Sequence, residues 1–311
     1  MTAPSRISVV IPTKDGADTI GDVLERIFGQ KHAFEVDVVV VDSGSRDRTL
    51  ELVRRFPVRL EQIAPHEYNH GATRNFAIER TRGDLVMLLT QDALPADDRL
   101  LANLAVPFED ARVAGVFGRQ IARSDCDVVR RRQLENWLTG RLAPARAQLD
   151  GVDLDSLPPL ERYERCVFDN VCSAVRRSVW QRIPFARLPF GEDVAWGRAV
   201  LEAGFAIAYE PSAAVIHSHR RPIAEEYRRE RLSHRTLSER FGIAMVPRRR
   251  DVFRGVLWGV QTEVPYVWRN APRGGERWRQ LARILGLAFA IPLGQHHGFV
   301  DAQRARREPG D

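Results

Sequence analysis

The chain is poor in cysteine. Cys126, Cys166 and Cys172 are an odd number without CxxC spacing, which argues against a disulfide framework or a zinc site and fits a reducing compartment. No run of about eighteen apolar residues occurs, so the sequence predicts no membrane-spanning helix. The opening stretch MTAPSRISVVIPTKDG turns strand-like almost at once and lacks the apolar core of a signal peptide, so a cytosolic location is the expectation. GxGxxG and GxxxxGK(S/T) are both absent, which discounts NAD, FAD and P-loop chemistry. GxSxG and HExxH are absent too, which removes the easily recognised serine hydrolases and zinc peptidases.

What is present is an ordinary globular composition. The 311 residues are 44% hydrophobic and 28% charged, enough chain for one large domain or two. The formal net charge of +6 is unevenly spread. Acids and bases nearly cancel up to His219; arginine dominates beyond it, as in HRRPIAEEYRRERLSHR and VPRRRDVFRG. Such a tail suits an anionic partner (membrane surface, nucleic acid or phosphorylated substrate) or a solvated helical face.

The first third alternates two patterns. RISVVIP, VDVVVVD, VRLEQIA and DLVMLLTQDA read as strands, the second a nearly continuous apolar run as in strands buried on both faces. Between them, ADTIGDVLERIFGQ carries Ile20, Val23, Leu24, Ile27 and Phe28 at helical spacing. SGSRDRTLELVRRF and NHGATRNFAIERTRG supply two more helices. Repeated β-α-β units predict a Rossmann-like α/β fold with a parallel sheet and right-handed crossovers.

After Pro95 the alternation loosens. VAGVFGRQ reads as a strand, VVRRRQLENWLTGRL as an amphipathic helix, and APARAQLDGVDLDSLPPLERYE as a loop region. CVFDNVCSAVRRSVWQRI is a strand turning into a helix, and FAIAYEPSAAVIHSHRR a short strand pair. ILGLAFAIPLG is too short to span a bilayer but suits a helical core or a membrane interface. The expected organisation is a domain over residues 1–220, divided near residue 95, then a helical basic region over 221–311.

Ligands of parallel α/β sheets sit beyond the carboxyl ends of the strands. There the sequence places Pro12-Thr13-Lys14-Asp15, Asp42-Ser43-Gly44-Ser45 and Thr90-Gln91-Asp92-Ala93. These clusters are polar and short-chained, which core packing does not explain, and they suit a nucleotide site built from acids rather than glycines. Asp42 is placed to accept from the N3–H of a pyrimidine, or equally to cap its own turn. Asp92 suits anchoring Mg²⁺ or Mn²⁺ with a diphosphate completing the ligands, or a turn. HEYNHGATRN gathers His66, Asn69, His70, Arg74 and Asn75 at a helix start, where anions bind. Arg74 suits bidentate pairing with a phosphate or with Asp92. His217 and His219 of IHSH share one side of a strand, as metal or diphosphate contacts or as rim imidazoles.

LPFGEDVAWG sets Glu192 and Asp193 in a first helical turn. Carboxylates there cap orphan N–H groups and meet the positive end of the helix dipole; the alternative role is proton transfer. Consecutive helical residues point about 100° apart, so one acid can hold the helix start while the other looks into a cleft.

Taken in order, VVIPTKDG, VVVVDSGSRDRT, NHGATRN, LTQDA, FGEDVAWGRAVLEAG and HSH resemble the inverting family 2 glycosyltransferases of the GT-A fold. NHGATRN, TQDA, FGRQ and FDNVCSAVRRSVW resemble their bacterial rhamnosyltransferase branch. The resemblance covers about residues 6 to 220 and implies a mainly parallel α/β sheet flanked by helices. It implies a nucleotide-sugar site of Pro12, Thr13, Asp15, Asp42, Ser43, Arg74, Asn75, Thr90 and Gln91. Asp193 matches the catalytic base, with Glu192 its supporting neighbour, and Asp92 and His219 match contacts to Mg²⁺ or Mn²⁺. Thr90-Gln91-Asp92 stands where the family usually has Asp-X-Asp, so metal binding falls chiefly to Asp92.

The implied reaction moves a sugar, with L-rhamnose from dTDP-L-rhamnose favoured, to a hydroxyl of a glycan or lipid-linked glycan precursor in cell-envelope synthesis. The basic region would then dock on an anionic membrane at its inner face; nucleic acid is not an expected partner. The same chemistry with another UDP-, GDP- or dTDP-sugar is the first alternative. A sugar nucleotidyltransferase usually carries a Gly-rich, Lys/Arg-bearing loop after the first strand, where PTKDGADT has one glycine and one lysine. A non-catalytic module binding anionic surfaces has no need of acids in every strand-end cluster.

Overall fold

The computed structural model describes residues 6–307. Its strands are β1 (Arg6–Thr13), β2 (Glu35–Asp42), β3 (Arg59–Gln62), β4 (Leu85–Leu89), β5 (Leu94–Pro95), β6 (Val113–Ile121), β7 (Ala145–Ala147), β8 (Cys172–Arg176) and β9 (Ala206–Ile216). The helices are α1 (Ile20–Phe28), α2 (Thr49–Val53), α3 (His70–Glu79), α4 (Leu100–Ala105), α5 (Val128–Asn136), α6 (Pro159–Cys166), α7 (Arg177–Trp180), α8 (Glu192–Glu202), α9 (Ile223–Phe241), α10 (Arg249–Asn270) and α11 (Gly275–Arg307).

The strands form one sheet in the order β3-β2-β1-β4-β8-β6-β9-β5, with β7 also paired to β9. β3, β2, β1 and β4 are parallel neighbours, and β6 and β9 run parallel to each other. β8 runs against both β4 and β6. Six of these strands therefore run the same way, with β8 reversed at the centre and β5 and β7 reversed against β9.

The chain divides into two compact units. The first holds the described residues up to Arg123 together with Leu134–Ser156 and Glu164–Ser218; the second holds Ser124–Gln133, Leu157–Tyr163 and the described chain from His219 onward. In the first unit, Ile7, Val9 and Ile11 of β1, Val38 and Val40 of β2, and Leu85, Met87 and Leu89 of β4 share a core with Ile20, Val23, Leu24 and Ile27 of α1. Alternate residues point to one sheet face, and the spacing of α1 puts its apolar stripe against it. Val10, Val39 and Val41, on the opposite face, are buried as well, as their unbroken apolar runs require.

Two local expectations change. The anticipated strand pair near residue 210 is the single strand β9. Its register against β6 jumps from Gly118↔Glu210 to Arg119↔Ala214, so residues 211–213 bulge out and Pro211 interrupts the ladder without ending the strand. The anticipated loop over 143–164 contains β7 and most of α6. β7 exists through its pairing with β9, which no local pattern announces.

The second unit is helical. Val129, Val267, Ala271, Leu281 and Ile284 form its core. ILGLAFAIPLG lies inside α11, and among the described residues no helix is long and apolar enough to cross a membrane.

Candidate active site

The parallel register brings the first two polar clusters side by side, because Thr13 at the end of β1 pairs with Asp42 at the end of β2. Gln91, in the loop after β4, ties itself to the first cluster. Its Oε1 accepts from Thr13 Oγ1 at 2.6 Å and Lys14 N at 2.8 Å, and its Nε2 donates to Lys14 O at 3.0 Å. Ser43 N donates to Thr13 O at 3.0 Å. Asp15, at φ 46°, accepts from Arg46 N at 2.8 Å. Three loops distant in sequence thus form one rim, with Pro12 half-buried beside them.

Asp42 is engaged with its own turn. It has no exposed surface. Its Oδ2 accepts from Gly44 N and Ser45 N at 3.0 Å each, and its Oδ1 from the Ser45 hydroxyl. Gly44 turns through φ 85°, which aims those N–H groups back at the carboxylate. Asp42 holds the turn, the other role its sequence position allowed.

Arg74 and Asn75 both have partners within the protein. Asn69 caps α3 by accepting from Ala72 N at 3.1 Å. A Cβ on Gly71 would collide with Ala186 O, so glycine is what lets this helix start approach the 180s loop. One turn in, Arg74 Nη1 donates to Glu192 Oε1 at 2.7 Å, with both side chains almost closed to solvent. The guanidinium is therefore committed to a carboxylate other than Asp92, because a buried charge needs its partner close at hand. Asn75 is a brace: its Nδ2 donates to Phe185 O at 2.8 Å, and its Oδ1 accepts from Trp180 Nε1 at 2.8 Å and Phe185 N at 3.1 Å. Asn75→Ala strands those groups and should cost about 1–3 kcal/mol in urea unfolding, without the loss of diphosphate affinity that a donor contact would entail.

The two neighbouring acids of α8 part company. Gly191, at φ 77°, precedes the helix. Glu192 turns to Arg74, while Asp193 is half-buried with its Oδ1 accepting from Val194 N at 2.8 Å. Burial first, then the charges of Glu192 and Asp169, push the Asp193 carboxyl up to about 8.

A polar chain threads the same unit. Asp169 Oδ2 accepts from Gln120 Nε2 at 2.8 Å, and Gln120 Oε1 lies 2.8 Å from His217 Nδ1. An ionised carboxylate only accepts, so the Gln120 amide faces Asp169 and its carbonyl takes the Nδ1–H of His217. His217 Nε2 then faces Asp92 Oδ2 at 3.6 Å. Two electron-rich atoms so placed need a proton or a metal ion between them. Asp92 and His217 each offer a ligand atom to such an ion. The hydroxyl of Thr90, two residues before Asp92, is buried without a hydrogen-bond partner. An oxygen-and-imidazole donor set with an orphaned hydroxyl nearby fits a divalent cation.

Gln120 and Asp169 received no role from sequence, although both lie in stretches, FGRQ and FDN, that carried the resemblance. The available signal for Asp169 was an acid closing the apolar run Cys166–Phe168.

The pattern of Glycosyl transferase family 2 matches residues 8–179. The chain is similar to the O-antigen chain rhamnosyltransferase RfbN of Salmonella typhimurium, 29% identical over 232 residues covering 72% of this chain and 70% of that protein. It is similar also to the O-antigen chain rhamnosyltransferase WbaN of Salmonella anatum, at 26% over 228 residues, 71% and 69% of the two chains. The mannosyltransferase PcManGT from Pyrobaculum calidifontis, solved with GDP-Man and Mn²⁺, superposes with a TM-score of 0.54 at 17% identity, over 100% of this chain and 77% of that one. Glucosyl-3-phosphoglycerate synthase from Mycobacterium tuberculosis, solved with Mn²⁺ and UDP, gives 0.54 at 22% identity, over 77% and 81%. These structural likenesses speak for the GT-A fold. From sequence pattern and fold together, the chain belongs to glycosyl transferase family 2 and is rhamnosyltransferase-like within it.

Proposed function

We propose that the chain is an inverting, metal-dependent transferase that moves L-rhamnose from dTDP-L-rhamnose to a hydroxyl of a glycan or lipid-linked glycan precursor of the cell envelope. The sugar rests on the likeness to RfbN and WbaN; a different nucleotide sugar would leave the chemistry unchanged. The observation that carries the reaction type is the split between adjacent carboxylates. Glu192 is spent on Arg74, and Asp193 keeps a raised proton affinity.

In this reading Asp193 takes the proton of the acceptor hydroxyl as that oxygen bonds the anomeric carbon. The bond to the nucleoside diphosphate breaks on the opposite face, which inverts the centre. A retaining glycosidase would need two free carboxylates flanking the bond, and Glu192 is not free. Asp92 and His217 would hold Mg²⁺ or Mn²⁺, which when bound offsets the charge of the departing diphosphate. Pro12, Thr13, Asp15, Ser43, Thr90 and Gln91 form the rim on the nucleotide side, with Asp42 holding its turn.

A thermal-shift panel of nucleoside diphosphate sugars with and without Mn²⁺ tests the assignment, since the shift follows affinity. The largest shift is expected for dTDP-L-rhamnose with metal; no shift with any sugar nucleotide would sink the reading. Gln120→Leu should lower Mn²⁺ affinity about 10–100-fold by calorimetry, because His217 loses the partner that fixes its ring.

The helical unit exposes Phe253, Trp258, Trp278 and Phe289 at 71%, 64%, 64% and 60%. With the arginines of α10, this composition suits an anionic membrane at its cytoplasmic face. Flotation with phosphatidylglycerol vesicles at low salt checks it; protein remaining at the bottom of the gradient removes the membrane from the proposal.

A further inference from the structure

Two hydrogen bonds fix how Asp169 is presented. Its Oδ1 accepts from Val171 N at 2.9 Å and its Oδ2 from Gln120 Nε2 at 2.8 Å. The first donor cannot turn. It is a backbone N–H, in a segment pinned to the loop after β4 by Thr90 N donating to Val171 O at 3.1 Å. The second donor can. A glutamine amide carries two donors on one side and an acceptor on the other, and a half-turn exchanges them.

Which end of Gln120 meets His217 therefore depends on what its other end meets. The backbone holds the two side chains together, since His217 N donates to Ile121 O at 2.8 Å. Gln120 and His217 are only 8% and 7% exposed, so water has little room to relieve a donor set against a donor, and such a mismatch is costly.

We propose that Asp169 is a positioning residue that sets the tautomer of His217 through Gln120. Its carboxylate takes the Gln120 NH₂, the Gln120 carbonyl takes the Nδ1–H, and Nε2 presents its lone pair toward Asp92. This role deepens the proposed function and rests on it for its meaning, because Nε2 is the atom that reading gives to the divalent cation. A proton on Nε2 would bond Asp92 instead and close the pair to a metal.

Asp169→Asn should reverse the relay rather than cut it. One amide oxygen then stands where two carboxylate oxygens did, and Val171 N keeps it. The new NH₂ faces Gln120, which turns its carbonyl to meet it and its own NH₂ to Nδ1. By exchange with solvent the ring proton passes from Nδ1 to Nε2. Adding Gln120→Glu restores the original sense, because one oxygen of the new carboxylate accepts from that NH₂ and the other from Nδ1–H.

The His217 ring can be read by ¹⁵N NMR in the metal-free full chain at about pH 9, where an imidazole of ordinary pKa, about 6.5, is neutral. Loss of the signal in His217→Gln assigns it. Wild type should show Nδ1–H. Asp169→Asn should show Nε2–H, with Mn²⁺ affinity down about 10–100-fold by calorimetry. Asp169→Asn with Gln120→Glu should show Nδ1–H again and regain at least about tenfold. A wild-type ring protonated at Nε2 overturns the proposal without any variant, so a misfolded one does not blunt the test. Two other results overturn it as well: Asp169→Asn losing affinity with the ring still Nδ1–H, and a charge swap that regains nothing. Absence of every sugar-nucleotide shift, with the tautomers as expected, would strike the proposed function and spare the relay.

Discussion

Asp193→Asn should lower kcat by about 10²–10⁴-fold, the range lost with a general base, while dTDP-L-rhamnose binding stays near wild type. The amide keeps the shape and can still accept from Val194 N, but it cannot take a proton. Substantial residual turnover would move the base elsewhere. The wild-type rate should rise with pH through about 8, where burial and the neighbouring acids have placed the Asp193 carboxyl. Stability moves the other way. A carboxyl raised in the folded state holds a proton that the unfolded chain has already released. Asp193 therefore costs nothing below its ordinary range near pH 4 and progressively more as pH climbs through about 8. Asp193→Asn should melt with wild type below about pH 4 and above it at pH 8. Melting curves at both ends of that window check the sign, and a variant less stable at pH 8 would contradict it.

Breaking the Arg74–Glu192 pair should be costly to folding. Glu192→Leu or Arg74→Met leaves one charge buried without its counter-charge, a loss of about 3–5 kcal/mol. Arg74→Met with Glu192→Leu removes both charges and should recover most of that loss, since a buried pair is often replaced by apolar groups at little net cost. Urea unfolding of the four proteins gives the coupling directly. If the double variant is as unstable as the sum of the singles, the pair is not what holds α3 to α8. The same experiment separates support from chemistry: the double variant should retain sugar-nucleotide binding if Arg74 makes no contact to diphosphate.

Much of the fold was legible because its cause is local. The apolar run of VDVVVVD needs burial on both faces, and the stripe on α1 needs a sheet to lie against. The reversed strand β8 was legible as a strand but not in direction, since orientation is set by its neighbours. In the site, the strand-end clusters announced themselves as polar residues where packing wants none. What one side chain would choose was not announced. Arg74 was equally ready for a phosphate or for Asp92, and only the fold brings Glu192 within 2.7 Å. Asp42 illustrates the same limit, because Gly44 and Ser45, its nearest residues in sequence, supply all the donors it uses.

The reversed direction of β8 decides how the polar rim is stocked. Leu89, the last residue of β4, lies opposite Cys172, the first of β8. An outgoing loop with Asp92 and an incoming one with Asp169 are therefore delivered to one edge, stitched by Thr90 N to Val171 O at 3.1 Å. Had β8 run with its neighbours, the segment entering it would surface at the far end of the sheet. One flipped strand thus doubles the supply of polar side chains at this edge, and changes in the segment before β8 can retune the chemistry while the strands beneath stay as they are.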